Sequence, residues 1–195
     1  MASRDASDRN TWQELYATGA RPDRPPSAWI VEAVGSLPND RPVADVAGGS
    51  GRHAVPVAQG GRRVVVLDFV AEAVARARAR EPSIEGVAAD ASRLPLRKGA
   101  FGVVLVTNFL DRTIFPDLIA LLEPGGHLVY ETYTLAHHEL VERGLAHGPQ
   151  STKYLLRAGE LPDLVKPLAV RYYWEGEVND DAGRRRCARL VARRP

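Results

Sequence analysis

From Asp40 onward the chain alternates short β-branched runs with longer segments of helical period, and few folds accept that rhythm. Parallel strands need a crossover, so a strand–helix alternation dictates a parallel sheet with helices on both faces. The expected strands are Val43–Ala47, Arg62–Asp68, Ile84–Ala89, Phe101–Asn108 and His127–Thr132. The stretch after Gly51, the Ala/Arg-rich Val70–Arg80 and Phe115–Glu123 supply the crossovers; Phe115, Leu118, Ile119 and Leu122 recur at helical spacing. Pro124-Gly125-Gly126 stops the last helix and launches the fifth strand, because proline cannot extend a helix and glycine accepts the left-handed turn.

Two further strands, Ala169–Trp174 and Arg186–Ala192, are joined by the polar turn Asn179–Gly183. That link is too short for a crossover, so the pair is antiparallel. The expected fold is α/β, a doubly wound, seven-stranded, mostly parallel sheet with one antiparallel strand near its end. Upstream, Trp12, Leu15 and Tyr16, then Trp29, Ile30, Val34 and Leu37, mark two amphipathic helices separated by the proline-rich Arg21–Pro26. A single domain over 1–195 is expected: N-terminal helices over the crevice in 1–40, an α/β core in 41–195, and a lid over 134–157. Pro56 conflicts with this pattern, since it falls in the helix after Gly51, beyond the first turn, where proline kinks.

A length of 195 residues with 45% apolar composition suits one self-sufficient core. The pI near 8.8 coexists with a net charge of only +2, so a strong general attraction to nucleic acid has no support. Cys187 is a lone cysteine with nothing at metal-ligand spacing, so neither a disulfide nor a metal is expected, and a reducing cytoplasm is. No apolar run approaches a membrane span, and the polar Met1–Asn10 does not resemble a secretory signal.

The chemistry concentrates in Val43-Ala44-Asp45-Val46-Ala47-Gly48-Gly49-Ser50-Gly51-Arg52, a strand running into a glycine-rich turn and a helix. Glycines there let a ligand approach the backbone, and the helix start offers exposed N–H groups. Gly49 and Gly51 followed by Ala54 meet the dinucleotide fingerprint only in its Ala-ended form, and no Gly-Lys-Ser/Thr follows for a phosphate loop. Asp68 ends the second strand, about twenty residues on, where ribose hydroxyls would lie. Asp90 ends the third and Asn108 the fourth, so four strand ends direct polar groups to one crevice at the carboxyl edge.

Asp45-Val46-Ala47-Gly48-Gly49-Ser50-Gly51-Arg52-His53-Ala54 resembles motif I of class I S-adenosylmethionine-dependent methyltransferases, Asp/Glu-x-Gly-x-Gly-x-Gly. The resemblance extends to Leu67-Asp68-Phe69, to Ala89-Asp90-Ala91 and to the Leu-Glu-Pro-Gly-Gly-His-Leu turn at 122–128. The ending, Tyr154 to Leu161 followed by a strand pair closing in Ala-Arg-Leu-Val-Ala-Arg-Arg, is similar to the small tellurite-resistance-type methyltransferases. The resemblance implies a Rossmann-like fold and S-adenosyl-L-methionine as cofactor. It places Asp45, Ala47, Gly48, Gly49 and Gly51 near the methionine part, Asp68 on the ribose, Phe69 against adenine, Asp90 on the adenine amino group with Ala91 beside it, and Asn108 near the methionyl end. Ala47 departs from the pattern, replacing its first glycine, and alanine suits that place only with φ kept negative.

A sulfonium methyl is already activated, so holding the acceptor in line and excluding water supplies most of the rate, and a general base is optional. The expected acceptor is a small molecule, of which a thiol or chalcogen anion needs no base. The candidate catalytic residues are Arg112, Tyr133, His137 and His138; two adjacent histidines in a polar lid also fit a solvated surface. Trp12, Tyr16, Arg112, Glu131, Tyr133, Tyr154 and Arg157 are the candidate acceptor-side residues, with helix packing the competing role of Trp12 and Tyr16. Asn108-Phe109-Leu110-Asp111 lacks the Asn/Asp-Pro-Pro-Tyr turn of base amino-methylation, and Cys187 lacks the proline neighbour of pyrimidine C5 chemistry. The arginines at 184–186, 189, 193 and 194 fit a solvated hairpin better than an RNA footprint, because no aromatics interleave them. Two alternatives share the glycine loop. An NAD(P)-dependent oxidoreductase would add a Tyr-x-x-x-Lys pair, which the sequence lacks, and a non-catalytic nucleotide-binding module would lose the lid.

Overall fold

The computed structural model describes residues 6–18, 24–38, 40–181 and 183–195. Its elements are α1 (Ala6–Ala17), α2 (Ala28–Gly35), β1 (Val43–Val46), α3 (Ala54–Gln59), β2 (Val64–Asp68), α4 (Ala71–Arg80), β3 (Glu85–Ala88), β4 (Phe101–Thr107), α5 (Phe115–Leu121), β5 (Leu122–Tyr133), α6 (Leu135–Glu142), α7 (Leu161–Leu164), β6 (Ala169–Asp180) and β7 (Gly183–Arg193). One sheet contains all seven strands in the order β3-β2-β1-β4-β5-β7-β6. Strands β1 to β5 pair in parallel, and β7 lies antiparallel to both β5 and β6. The order reverses between β1 and β4, which opens a crevice at their carboxyl ends.

Strand alternation sorts the core into two layers. Val104 and Val106 of β4 pack with Phe115, Leu118 and Leu161 under α5 and α7. Val103 and Leu105 pack with Ile30, Val34, Ala54, Val57 and Ala77 under α2, α3 and α4. Helix α2 therefore covers a sheet face, against the expectation that both N-terminal helices lie over the crevice; its apolar stripe has more surface to bury there. Helix α1 packs against α4 through Tyr16, Val70 and Ala73, and Arg76 Nη2 donates to the Tyr16 carbonyl at 2.6 Å.

Three local expectations change. Pro56 sits in the first turn, because Gly51–His53 form a turn and α3 begins only at Ala54; an N–H there has no partner within the helix to lose. Pro124-Gly125-Gly126 does not precede the fifth strand but forms an excursion inside it. Pairing with β4 steps from Phe101↔Leu122 to Val103↔His127, with Gly125 at φ 81°. Strands β6 and β7 run on to Asp180 and back from Gly183, so the turn is shorter than Asn179–Gly183; Ala182 and Arg21–Asp23 lie outside the described residues. Among the described residues no helix is long and apolar enough to cross a membrane, and no cluster of His, Cys, Asp and Glu could hold a metal.

Candidate functional site

The glycine-rich turn is built from left-handed backbone. Ala47 and Gly49 both have φ 58°, and Gly51 has φ 75°. Ala47 thus contradicts the expected negative φ: the turn keeps the shape that glycine would give it, and its Cβ costs about 1–2 kcal/mol. A Cβ at Gly49 would collide with the Tyr16 hydroxyl, and one at Gly51 would lie 2.9 Å from Ala77 Cβ. Tyr16, 5% exposed, therefore closes over the loop from α1 and also packs in the helix contact.

Asp68 holds this turn from the next strand. Its Oδ2 accepts from the Gly49 N–H at 2.9 Å and its Oδ1 from the Val70 N–H at 3.0 Å, while Gly48 N–H donates to the Leu67 carbonyl at 3.1 Å. Beneath the turn lies Asp45, 1% exposed, with both carboxylate oxygens lacking a hydrogen-bond partner. The Ala54 N–H points toward it without completing a bond. Burial raises its pKa from 3.8 to about 7, against the pull of Arg52 and with a further push from Asp68. A Cβ on Gly48 would meet this carboxyl group 2.7 Å from Cγ, so glycine keeps the loop backbone pressed to it.

The remaining strand ends lie at the same carboxyl edge of the parallel strands. Asp90 is half-buried and its Oδ1 accepts from the Ser92 N–H at 2.9 Å, capping a 3-10 turn that buries Ala91. Phe69 packs beside Tyr16, Val70 and Ala73. Asn108 takes φ 51°, and its N–H donates to the Glu131 carbonyl at 2.8 Å. A left-handed non-glycine residue at a strand end carries strain that marks a shaped loop. Tyr130 fixes that loop: its hydroxyl donates to the Phe109 carbonyl at 2.6 Å, and its ring stacks on Phe115 at 5.4 Å.

Several acceptor-side candidates are spent on structure. Arg112 donates from Nε and Nη2 to Glu160 at 2.7 and 2.8 Å, from Nη1 to the Lys153 carbonyl at 2.9 Å and from Nη2 to the Leu155 carbonyl at 3.0 Å. The Arg112 guanidinium pulls the Glu160 pKa down to about 2. Arg157 adds its backbone N–H and Nη2 to the same carboxylate. Arg112 is thus not a waiting anion ligand, because its fork is already matched to a carboxylate, whereas the exposed Arg157 side chain gives that carboxylate only one bond. Glu131 is likewise enclosed, accepting from Ser27 Oγ at 3.1 Å, Arg189 Nε at 2.7 Å and Arg185 Nη2 at 3.4 Å.

His137 is fully buried, not a solvated lid residue. Its Nδ1 accepts from the Arg186 N–H at 3.2 Å, which assigns the proton to Nε2 and lets it donate to the His147 carbonyl at 3.3 Å. Its ring stacks on the buried Tyr133 at 4.4 Å, and burial lowers its pKa, with Arg185 and Arg186 adding to the effect. With both nitrogens engaged it cannot serve as a base. His138 is half-buried with Nε2 3.3 Å from Glu142. Tyr154 is half-buried beneath Lys153, whose Nζ is 4.7 Å from the ring, and Trp12 is 37% exposed.

Arginines 184–186 of the hairpin are matched by carboxylates. Arg184 and Arg186 pair with Glu177, Arg186 also with Glu139, and Arg185 with Asp180. Arg189 lies 5.3 Å from the ring centres of both Trp29 and Trp174. The lone Cys187 is buried, which pushes its thiol up to about 12.

Sequence reasoning missed Ser27, Thr107 and Glu160, whereas His53 has the structural role that its place in a helix pattern suggests. His53 Nε2 accepts from the Ser27 N–H at 3.1 Å, so its Nδ1–H donates to Thr107 Oγ1 at 3.1 Å, tying the end of the glycine turn to β4. Burial holds its pKa well below the usual histidine value. The one available signal was a histidine directly after Gly51-Arg52; Glu160 gave none, being a lone acidic residue before a short helix.

Residues 43–126 match the family model described as a methyltransferase domain. A demethylmenaquinone methyltransferase of Renibacterium salmoninarum is 34% identical over 110 residues, covering 54% of this chain and 46% of the relative. Another, of Beutenbergia cavernae, is 36% identical over 110 residues, with coverages of 53% and 45%. The chain spans about half the length of the curated relatives it matches. Among solved structures, a SAM-dependent methyltransferase of Methanosarcina mazei shares the fold with a TM-score of 0.71 at 19% identity, covering 87% of this chain and 98% of that one.

Proposed function

We propose that this chain, acting as one domain, transfers the methyl group of S-adenosylmethionine to a small-molecule acceptor, a reading supported by the match of residues 43–126 to a methyltransferase domain and by the shared fold. The observation that carries this reading is Asp45, a buried, unpartnered carboxyl group beneath a turn with three left-handed residues. Such a group suits a cationic ligand, since a buried carboxylate is costly until a charge meets it. The methionyl ammonium of the cofactor is that charge, and the residues present fit it.

Asp45 and the Gly48–Gly51 backbone receive the methionine part, Asp68 holds the ribose hydroxyls while keeping the turn closed, and Phe69, Asp90 and Ala91 bound the adenine. Asn108 shapes the loop on the methionyl side. When bound, the cofactor supplies an activated sulfonium methyl. The chain's own task is to place the acceptor against it and to exclude water, with Tyr16, Tyr133 and Tyr154 as walls and the segment 134–157 as cover. The engaged nitrogens of His137 support a mechanism without an obligatory base.

The relatives' name supports demethylmenaquinone as an acceptor to try first, whereas a thiol or chalcogen acceptor rests on the chemistry of a base-free site alone. Transfer of a labelled methyl group from S-adenosylmethionine to demethylmenaquinone, a thiol, a chalcogen oxyanion, a phenol and an amine tests the proposal. Labelling of at least one small acceptor is expected. Label appearing only in a long RNA or in protein overturns the substrate class.

A further inference from the structure

The segment 152–160 crosses the carboxyl ends of β4 and β5 and is fastened at two places. At one, Leu156 pairs with Thr134: its N–H donates to the Tyr133 carbonyl at 3.0 Å and its carbonyl accepts from the Leu135 N–H at 2.8 Å. At the other, Arg112, four residues after Asn108, commits four of its five N–H bonds to the segment, two to Glu160 and one each to the Lys153 and Leu155 carbonyls. Glu160 in turn receives four donors, two from Arg112 and two from Arg157. Leu155, Leu156 and Leu161 are buried on either side of the crossing. None of these hydrogen bonds reaches the glycine turn, Asp68 or Asp90.

We propose that Arg112 and Glu160 form a latch that holds residues 152–160 as the acceptor-side wall of the crevice and so governs acceptor binding without contributing to cofactor affinity. The acceptor part of this statement rests on the function proposed above. Arg112 is then a positioning residue that acts through the segment it clamps, not a ligand for an anionic acceptor. The two roles separate by chemistry. A ligand role needs only a positive charge, which lysine supplies, and is indifferent to Glu160. A latch needs the planar fork with its two carbonyl bonds, which lysine cannot reproduce, and fails when either partner is changed.

Hydrogen exchange of the Leu155 and Leu156 amides, together with calorimetric titration of S-adenosylhomocysteine, tests this in the wild type, Glu160→Gln, Arg112→Lys and Arg112→Ala. All three variants are expected to exchange about tenfold faster or more at these amides while binding S-adenosylhomocysteine within about twofold of the wild type. With demethylmenaquinone as acceptor, KM rises about tenfold and kcat changes little. Wild-type exchange in Arg112→Lys, or unchanged exchange in Glu160→Gln, overturns the latch. A loss of S-adenosylhomocysteine affinity as large as the gain in exchange overturns the separation of the two halves. Should Arg112→Ala fail to fold, Glu160→Gln carries the same decision. A wild type that binds no S-adenosylhomocysteine refutes the proposed function, and the exchange of the segment still decides the latch.

Discussion

Replacing Asp45 by asparagine removes a carboxyl group from a place where its charged form is disfavoured. It is 1% exposed, both oxygens lack partners, and burial lifts its pKa from 3.8 to about 7. A folded-state pKa above the unfolded one means that the folded chain binds the proton more tightly. Its stabilising contribution is therefore full below the unfolded pKa and is lost as pH rises from about 4 through about 7. The span of roughly 3 pKa units corresponds to about 4 kcal/mol. Asp45→Asn escapes that loss, so its stability relative to the wild type should grow by about 3 kcal/mol between about pH 4.5 and about pH 8. Comparing the two pH values cancels whatever the amide's own N–H groups cost in the site. Urea unfolding at both values measures it, and in a chain of this length the relative Tm moves by on the order of 10 °C. The same substitution should weaken S-adenosylhomocysteine by about 10- to 100-fold, the worth of a charge-assisted hydrogen bond. An asparagine advantage equal at both pH values refutes the titration, and unchanged ligand affinity refutes the cofactor role.

Asp68→Ala loses the clamp on the Gly49 and Val70 amides as well as the proposed ribose contact, so S-adenosylhomocysteine affinity should fall about 10- to 100-fold with circular dichroism unchanged. Equal affinity means that the crevice is misassigned. Ala47→Gly relieves a left-handed alanine at φ 58° and, after glycine's greater unfolded-state entropy, should stabilise by about 0.5–1 kcal/mol in denaturant titrations. Destabilisation contradicts the strain. Combining His137→Gln with His138→Ala should lower turnover by less than about tenfold, and a loss of a hundredfold with ligand binding intact restores a general base.

What the sequence conveyed well was backbone chemistry with a strong period or a strong exception. The β-branched runs of β1, β2 and β4 declare themselves because both faces of a central parallel strand are buried, and the hairpin of β6 and β7 follows from its short link. The glycine turn and the acidic strand ends were equally plain, since conformation and strand position act locally. Side-chain pairing across long separations was not. Arg112 and Glu160 are 48 residues apart and nothing near either one foretells the fork. His137 looked solvated because its neighbours are polar, yet the Arg186 backbone and Tyr133 ring that bury it come from β7 and β5. The sign of φ at Ala47 also escaped, because residue identity favours one sign and the turn's hydrogen bonds to β2 impose the other.

Calorimetric titration of the wild-type chain with S-adenosylhomocysteine, beside NAD and NADP, bears most directly on whether this crevice is a methyl-donor site. Saturable binding of S-adenosylhomocysteine at one site per chain, weakening as pH falls below about 7 while Asp45 takes up its proton, is the predicted result. A folded protein that gives no heat with S-adenosylhomocysteine, or that binds NAD or NADP in its place, contradicts it.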